Sequence, residues 1–213
     1  MGNNMQPLLY LFGASGHAKV ILDILEQAGE YWVHGLLDDN PSLWGTQVFG
    51  YPVLGGKEIL RQHPLPVIVS IGNNAIRHTI ALECIASSMM FGQALHPRAA
   101  ISRGVTIGAG SVIMAGAVVN ADAQIGAHVI INTGATVDHD CVIGDVAHIA
   151  PGAHLCGGIA IGARTLIGAG ATVIPNLRIG ADVVVGAGAT VISDLPDGVM
   201  AVGTPARIVK TFG

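Results

Sequence analysis

The sequence predicts a small parallel α/β domain followed by a β-solenoid built in six-residue steps. Three observations carry this. Residues 8–94 alternate apolar runs with helical patterns, and from Leu95 an aliphatic residue returns at every sixth position. The composition holds 30 glycines but only 4% aromatics in 213 residues. Such a core is made of small and β-branched side chains, which suits strands better than a helical bundle.

The first half reads in order. "LLYLF" is an apolar strand, and "GASGHAK" turns into a helical pattern that runs through Glu26. "YWVHGLL" is a second strand that ends at Asp38–Asp39. "VFGYPVLGG" is irregular, with room for one short strand. "KEILRQ" is a short helix, "PVIVSIG" a buried strand and "NNAIRHTIALECIASS" a helix, after which "MFGQAL" leads out. Strands that alternate with helices give a parallel sheet. The opening "MGNNMQP" reads as a loose end.

The second half is a repeat. Seventeen aliphatic residues stand six apart, from Leu95, Ile101 and Ile107 to Val185 and Val191. Four residues after each comes Ala, Val, Ser, Cys, Thr, Ile or Leu, never a charge. Glycine often follows directly, as in Ile107–Gly108, Ile143–Gly144 and Ile179–Gly180. A period of six fits neither a helix nor an array of hairpins. It fits a short strand, a tight corner and the next strand, with the aliphatic residue inward and glycine at the corner. Three such steps close a triangular coil of roughly 18 residues, so the repeat makes between five and six coils. Pro196–Asp197 end the pattern. The expected division is residues 1–94 and 95–213.

Composition excludes several classes. The net charge of −4 leaves no basic footprint for nucleic acid. No apolar run has the length of a membrane span, and the start lacks a signal-peptide pattern. Cys84, Cys141 and Cys156 form neither a metal-type pair nor an even disulfide set. Cys141 takes an inward small position and Cys156 has no partner nearby in sequence, so neither reads as a nucleophile. A soluble, reducing, cytoplasmic setting follows as the expectation.

Polar residues are rare in the solenoid, so "VDHDCVIGDVAHIAPG" (residues 137–152) stands out. His139 is the third residue of its repeat and falls at an outward corner. One coil further along that corner stand Gly157 and then Pro175. Stacked coils lie ~4.8 Å apart, so these three form a column, with room for a thin ligand beyond the histidine. His148 lies nine residues after His139, half a coil away, beside a small-residue column of Pro151, Ala169 and Ala187. A single prism would hold the two histidines on different sides. A groove between two subunits would bring His139 of one against His148 of the next.

"GASGH", "LDD", "IGNN.IR" and "NTGATVDHDCVIGD.AHIAPG", with the closing "AVGTPARIVK", resemble the sialic acid O-acetyltransferase family of hexapeptide-repeat acyltransferases. Within it they look most like the bacterial UDP-4-amino-sugar N-acetyltransferases of the bacillosamine pathway. The resemblance spans nearly the whole chain. It implies a small Rossmann-like α/β domain followed by a left-handed parallel β-helix; the hand comes from the family, since βαβ crossovers are generally right-handed. It implies an N-acetyltransferase using acetyl-CoA and a UDP-linked 4-amino-sugar, without a metal, as a homotrimer with active sites between subunits. It assigns Ser15, Gly16, His17, Asp38, Asp39 and Gly72 to the UDP-sugar. It gives His139 as general base, with Asp140 where the family has a glutamate one methylene longer; Asp138 or Asp145 could share that task. It places His148, Gly157, Ala169 and Pro175 along acetyl-CoA, with His148 near the acetyl carbonyl.

The residues alone leave other readings open. O-acetylation of a sialic-type sugar needs the same base. A sensor would bind the sugar nucleotide without turnover. A zinc enzyme of carbonic-anhydrase type would draw on His128, His148 and His154.

Overall fold

The structure, a computed structural model, describes residues 6–212. Most of the "MGNNMQP" opening therefore lies outside the described residues. The chain divides into two compact units, one ending at Pro97 and the next beginning at Arg98.

The first unit is built on a sheet of mostly parallel strands. β1 (Leu8–Phe12) leads to α1 (Gly16–Ala28) and β2 (Trp32–Leu37), and β3 (Gln47–Val48) leads to β4 (Tyr51–Gly55). The short α2 (Glu58–Gln62), β5 (Val67–Val69) and α3 (Asn74–Ala86) follow. The order is β3-β4-β2-β1-β5, with β1 pairing in parallel to both β2 and β5. The stretch 48–56, irregular in sequence, makes a complete strand. β4 adds in parallel to β2, and β3 turns back antiparallel on β4. Gly35 makes this possible, since a Cβ there would stand 2.6 Å from Leu54.

β1 is apolar on both faces because both are covered. Leu9, Tyr10, Leu11 and Phe12 are all at most 2% exposed. Tyr10 and Phe12 join Leu37, Leu60, Val69 and Ile80 in one core cluster. The C-terminal ends of β2, β1 and β5 therefore meet at one edge of the sheet, where the connecting loops carry ligand chemistry in open α/β folds.

The second unit is a parallel β-helix. Two-residue strands recur every six residues, and the repeat's aliphatic residue is always the second of the two, as in Thr136–Val137, Val142–Ile143 and His148–Ile149. Each strand pairs in parallel with those 18 residues away, so Thr136 faces Val118 and His154. Val119, Val137, Val173 and Ile149 are fully buried.

The corners explain the glycines differently from the sequence reading. The glycine directly after the aliphatic residue is needed for close approach: a Cβ on Gly144 would lie 2.7 Å from the Ala163 nitrogen of the next coil. The left-handed conformation falls two residues further on. There Asp122, His128, Asp140, Val146, Arg164, Asn176 and Asp182 all have φ between 56° and 62°. Asn and Asp adopt this region more readily than other non-glycine residues, whereas β-branched Val146 is an outlier in it.

The rhythm of two-residue strands stops after Thr190–Val191, and the residues beyond fold over the end of the prism. Gly180 donates to the Leu195 carbonyl at 2.9 Å, and Thr190 donates to that of Gly203 at 3.0 Å. On the remaining face the strand Val199–Val202 adds in parallel to Val184–Val185, and Arg207–Thr211 pairs antiparallel with it. The last coil's strands thus find backbone partners in the residues beyond them on all three faces.

Candidate active site

In the first unit the expected ligand residues gather at the C-terminal edge of the sheet. Ser15, Gly16 and His17 open α1 directly after β1. Ser15 is exposed and makes no side-chain cap, and the first N–H groups of α1 have no acceptor within the helix, the arrangement that binds anions. Asp38 and Asp39 end β2, and Gly72 follows β5.

The two aspartates do different work. Asp38 accepts from the Ala14 nitrogen and from the Asn40 nitrogen, each at 2.9 Å. Its carboxylate ties the β1–α1 turn to the end of β2. Asp39 is more open, its side chain 45% exposed, with the Lys57 ammonium at 3.8 Å. Trp44, unremarked in the sequence, donates its indole N–H to the Asp38 carbonyl at 2.7 Å and so packs over this corner. Sequence had no signal for that contact, since an exposed tryptophan in a loop shows no periodicity.

Arg77 was also missed as more than part of a motif. It is 1% exposed, and its guanidinium donates to the carbonyls of Ile71 at 2.9 Å and Gly72 at 3.1 Å. Burial brings its pKa down to about 10. Burial, and then the Arg77 charge, bring His17 down to about 4, so His17 is neutral near pH 7. Among the described residues the buried Nε2 of His17 has no hydrogen-bond partner.

In the second unit His139 stands at the corner between the strands Thr136–Val137 and Val142–Ile143. Its Nδ1 lies 2.8 Å from Asp140 Oδ2, and both side chains are more than half exposed. The Asp140 carboxylate accepts a hydrogen bond from Nδ1–H and leaves the lone pair on Nε2, the tautomer of a general base. The Asp140 hydrogen bond, then the charge of Asp138, hold the imidazole above its usual pKa.

Asp138 supports the corner from behind. It accepts from the His139 backbone nitrogen at 2.8 Å and from Asn120 Nδ2, one coil away, at 2.9 Å. These two bonds hold its carboxyl below the usual range. Asp145, the other candidate helper, instead accepts from the Ala127 nitrogen at 2.8 Å, so it serves its own corner.

The column is as the spacing implies. Gly158 donates to the His139 carbonyl, and Asn176 to that of Gly157, so Gly157 and Pro175 stack beyond His139. His148 opens the two-residue strand His148–Ile149 on the face opposite this corner, paired with Ile130 and Leu166. Its Nε2 is 3.0 Å from Asn132 Nδ2, an amide that can only donate, so a neutral His148 carries its proton on Nδ1. Ala169 belongs to the corner after that face, where Gly170 donates to Pro151. One chain therefore brings His139, Gly157 and Pro175 together and holds His148 and Ala169 apart from them.

His128, His148 and His154 do not converge. His154 Nδ1 meets Thr136 Oγ1 at 3.0 Å on another face, and no metal-holding group of three is found among the described residues. No described helix is long and apolar enough to cross a membrane.

A six-residue solenoid with an exposed histidine–carboxylate pair at one corner is an arrangement suited to acyl transfer, as in hexapeptide-repeat acyltransferases. Residues 8–83 match the PglD N-terminal domain, and residues 104–139, 140–175 and 160–193 match the bacterial transferase hexapeptide model. UDP-N-acetylbacillosamine N-acetyltransferase of Bacillus subtilis (strain 168) is 39% identical over 108 residues, about half the length of that relative and 49% of this chain.

Among solved structures, the acetyltransferase domain of PglB from Neisseria gonorrhoeae is 37% identical with a TM-score of 0.88, over 96% of this chain and 100% of that one. PerB from Caulobacter crescentus, in complex with CoA and GDP-perosamine, is 41% identical with a TM-score of 0.89, over 95% and 97%. The chain belongs to this family of amino-sugar N-acetyltransferases, a small Rossmann-like domain joined to a left-handed parallel β-helix.

Proposed function

We propose that this chain transfers the acetyl group of acetyl-CoA to the amine of a UDP-linked 4-amino-sugar in bacterial glycan biosynthesis. The observation that carries this is the 2.8 Å contact between His139 Nδ1 and Asp140 at an exposed corner. His139 Nε2 takes a proton from the sugar amine as its nitrogen attacks the thioester carbonyl carbon. The tetrahedral intermediate collapses, the C–S bond breaks, and the imidazolium returns its proton to the departing thiolate. Asp140 steadies the imidazolium throughout. No metal takes part in this scheme.

Residues 1–94 hold the sugar nucleotide and residues 95–213 hold acetyl-CoA. Ser15, Gly16 and the N-terminus of α1 receive the diphosphate, and the unpartnered His17 Nε2 is placed to meet one of its oxygens. Asp39 takes a ribose or base hydrogen bond, while Asp38 and Gly72 hold the surrounding loops. Acetyl-CoA lies along Gly157 and Pro175, with His148 and Ala169 supplied by the neighbouring subunit of a homotrimer. The opposed placement of His139 and His148 supports this sharing. His148 donates Nδ1–H towards the developing oxyanion. The enzyme works in the cytoplasm.

Thiol release from acetyl-CoA, measured against a panel of UDP-, GDP- and dTDP-linked amino sugars, tests the reading. Turnover with a nucleotide-linked 4-amino-sugar is expected; nucleotide binding without turnover would make the chain a sensor. Acetylation of a hydroxyl instead would select the O-acetyltransferase reading.

Two variants separate the roles. Asp39→Ala is expected to raise the KM for the sugar nucleotide and leave acetyl-CoA affinity unchanged; equal weakening of both would show that the site is misplaced. Asp140→Asn removes the main cause of the raised His139 pKa. The base form exists only above that pKa, so the acid limb of the pH–rate profile should move to lower pH. Turnover should fall, but by less than on loss of His139. Asp140→Glu should keep activity. An unmoved acid limb in Asp140→Asn would assign the limb to another group.

A further inference from the structure

We propose that Gly157 is a positioning residue for the base: its missing side chain makes the space in which the His139 imidazole lies. This rests on the reading of His139 as the base. A Cβ built on Gly157 would stand 2.6 Å from both Cε1 and Nε2 of His139 and 3.2 Å from Cδ2. Real Cβ contacts do not come that close, so the ring and a side chain at 157 exclude one another.

Backbone conformation gives no other reason for glycine there. The next residue, Gly158, has φ 70°, whereas Gly157 lies outside the left-handed region. Any L-residue could adopt its backbone. The three atoms nearest to that Cβ all belong to the ring.

Two neighbours thus bound the imidazole. Asp140 holds Nδ1, and a side chain at 157 would fall where Cε1 and Nε2 lie. The charged groups that act on His139 are Asp140 and Asp138 of its own corner. From adjoining coils it meets Gly157 directly, and neutral Asn120 through Asp138. The ring is exposed and can swing outward, so a methyl at 157 displaces the base without unfolding the coil. Displacement stretches the Asp140 contact and misaims Nε2, and a shift of ~1 Å in a reacting group can cost 10²-fold in rate.

Gly157→Ala is the test, read in two ways. In the ligand-free protein, imidazole NMR titration is expected to show the His139 pKa falling towards the usual histidine value, with an unchanged melting curve. In turnover, kcat is expected to fall ~10²-fold with the KM for the sugar nucleotide held. Two results would overturn the proposal. One is an unchanged His139 pKa with full activity. The other is an unchanged pKa with lost activity, which would place Gly157 in acetyl-CoA binding only. Should wild type turn over no amino sugar while the pKa still falls in Gly157→Ala, the proposed reaction fails and the positioning role stands.

Discussion

His139→Ala lowers turnover by ~10²–10⁴-fold, the usual contribution of a general base, with acetyl-CoA binding kept. The size follows from geometry. His139 presents its Nε2 at an exposed corner, and the carboxylate nearest to it, that of Asp140, is engaged on the other ring nitrogen. Asp138 is engaged by the His139 backbone and Asn120, so it is not free to take over. Steady-state thiol release with saturating sugar nucleotide reads the kcat, and titration of acetyl-CoA binding reads the affinity. Near-full activity in this variant would remove His139 from the chemistry.

The second large effect is recovery rather than loss. His139 stands at a corner and His148 on the face opposite, so one chain does not focus both on one thioester. Mixing His139→Ala chains with His148→Ala chains is therefore expected to restore activity. In the proposed homotrimer, two chains of one kind and one of the other leave a single interface with both intact histidines. Random mixing at equal ratio restores about a quarter of all sites. The measurement is activity of coexpressed, purified mixed trimers against each parent. Verified mixed trimers without recovery would place both histidines in one chain's site.

Much of this was legible because the solenoid makes position periodic. The six-residue step fixes which residue of each two-residue strand is buried, and the 18-residue coil puts Gly157 beside His139. No comparable arithmetic reaches Asn132. It meets His148 from 16 residues away, diagonally across a strand pair, by a side-chain amide whose direction is not periodic. The same limit hid Trp44 and Arg77, whose partners include backbone carbonyls. Asp38 was found as a polar residue at a strand end, but composition cannot say that its oxygens are taken by Ala14 and Asn40. In the hairpin of β3 and β4, glycines and Pro52 masked a strand whose pairing with β2 is decided by tertiary contact.

The folded-over C-terminal end has a consequence for assembly. A stack of identical coils has no intrinsic length; each finished layer presents three rows of backbone groups, the template on which another layer could form. In this chain Leu195, Gly203 and the strand Val199–Val202 occupy those rows, one on each face. The antiparallel run Arg207–Thr211 then reverses the direction that a parallel newcomer would need. The tail thus covers the rows on which a further coil would pair. Protein truncated after Val191 should stack end to end into fibres, visible as growing light scatter and by electron microscopy, while the full chain stays dispersed.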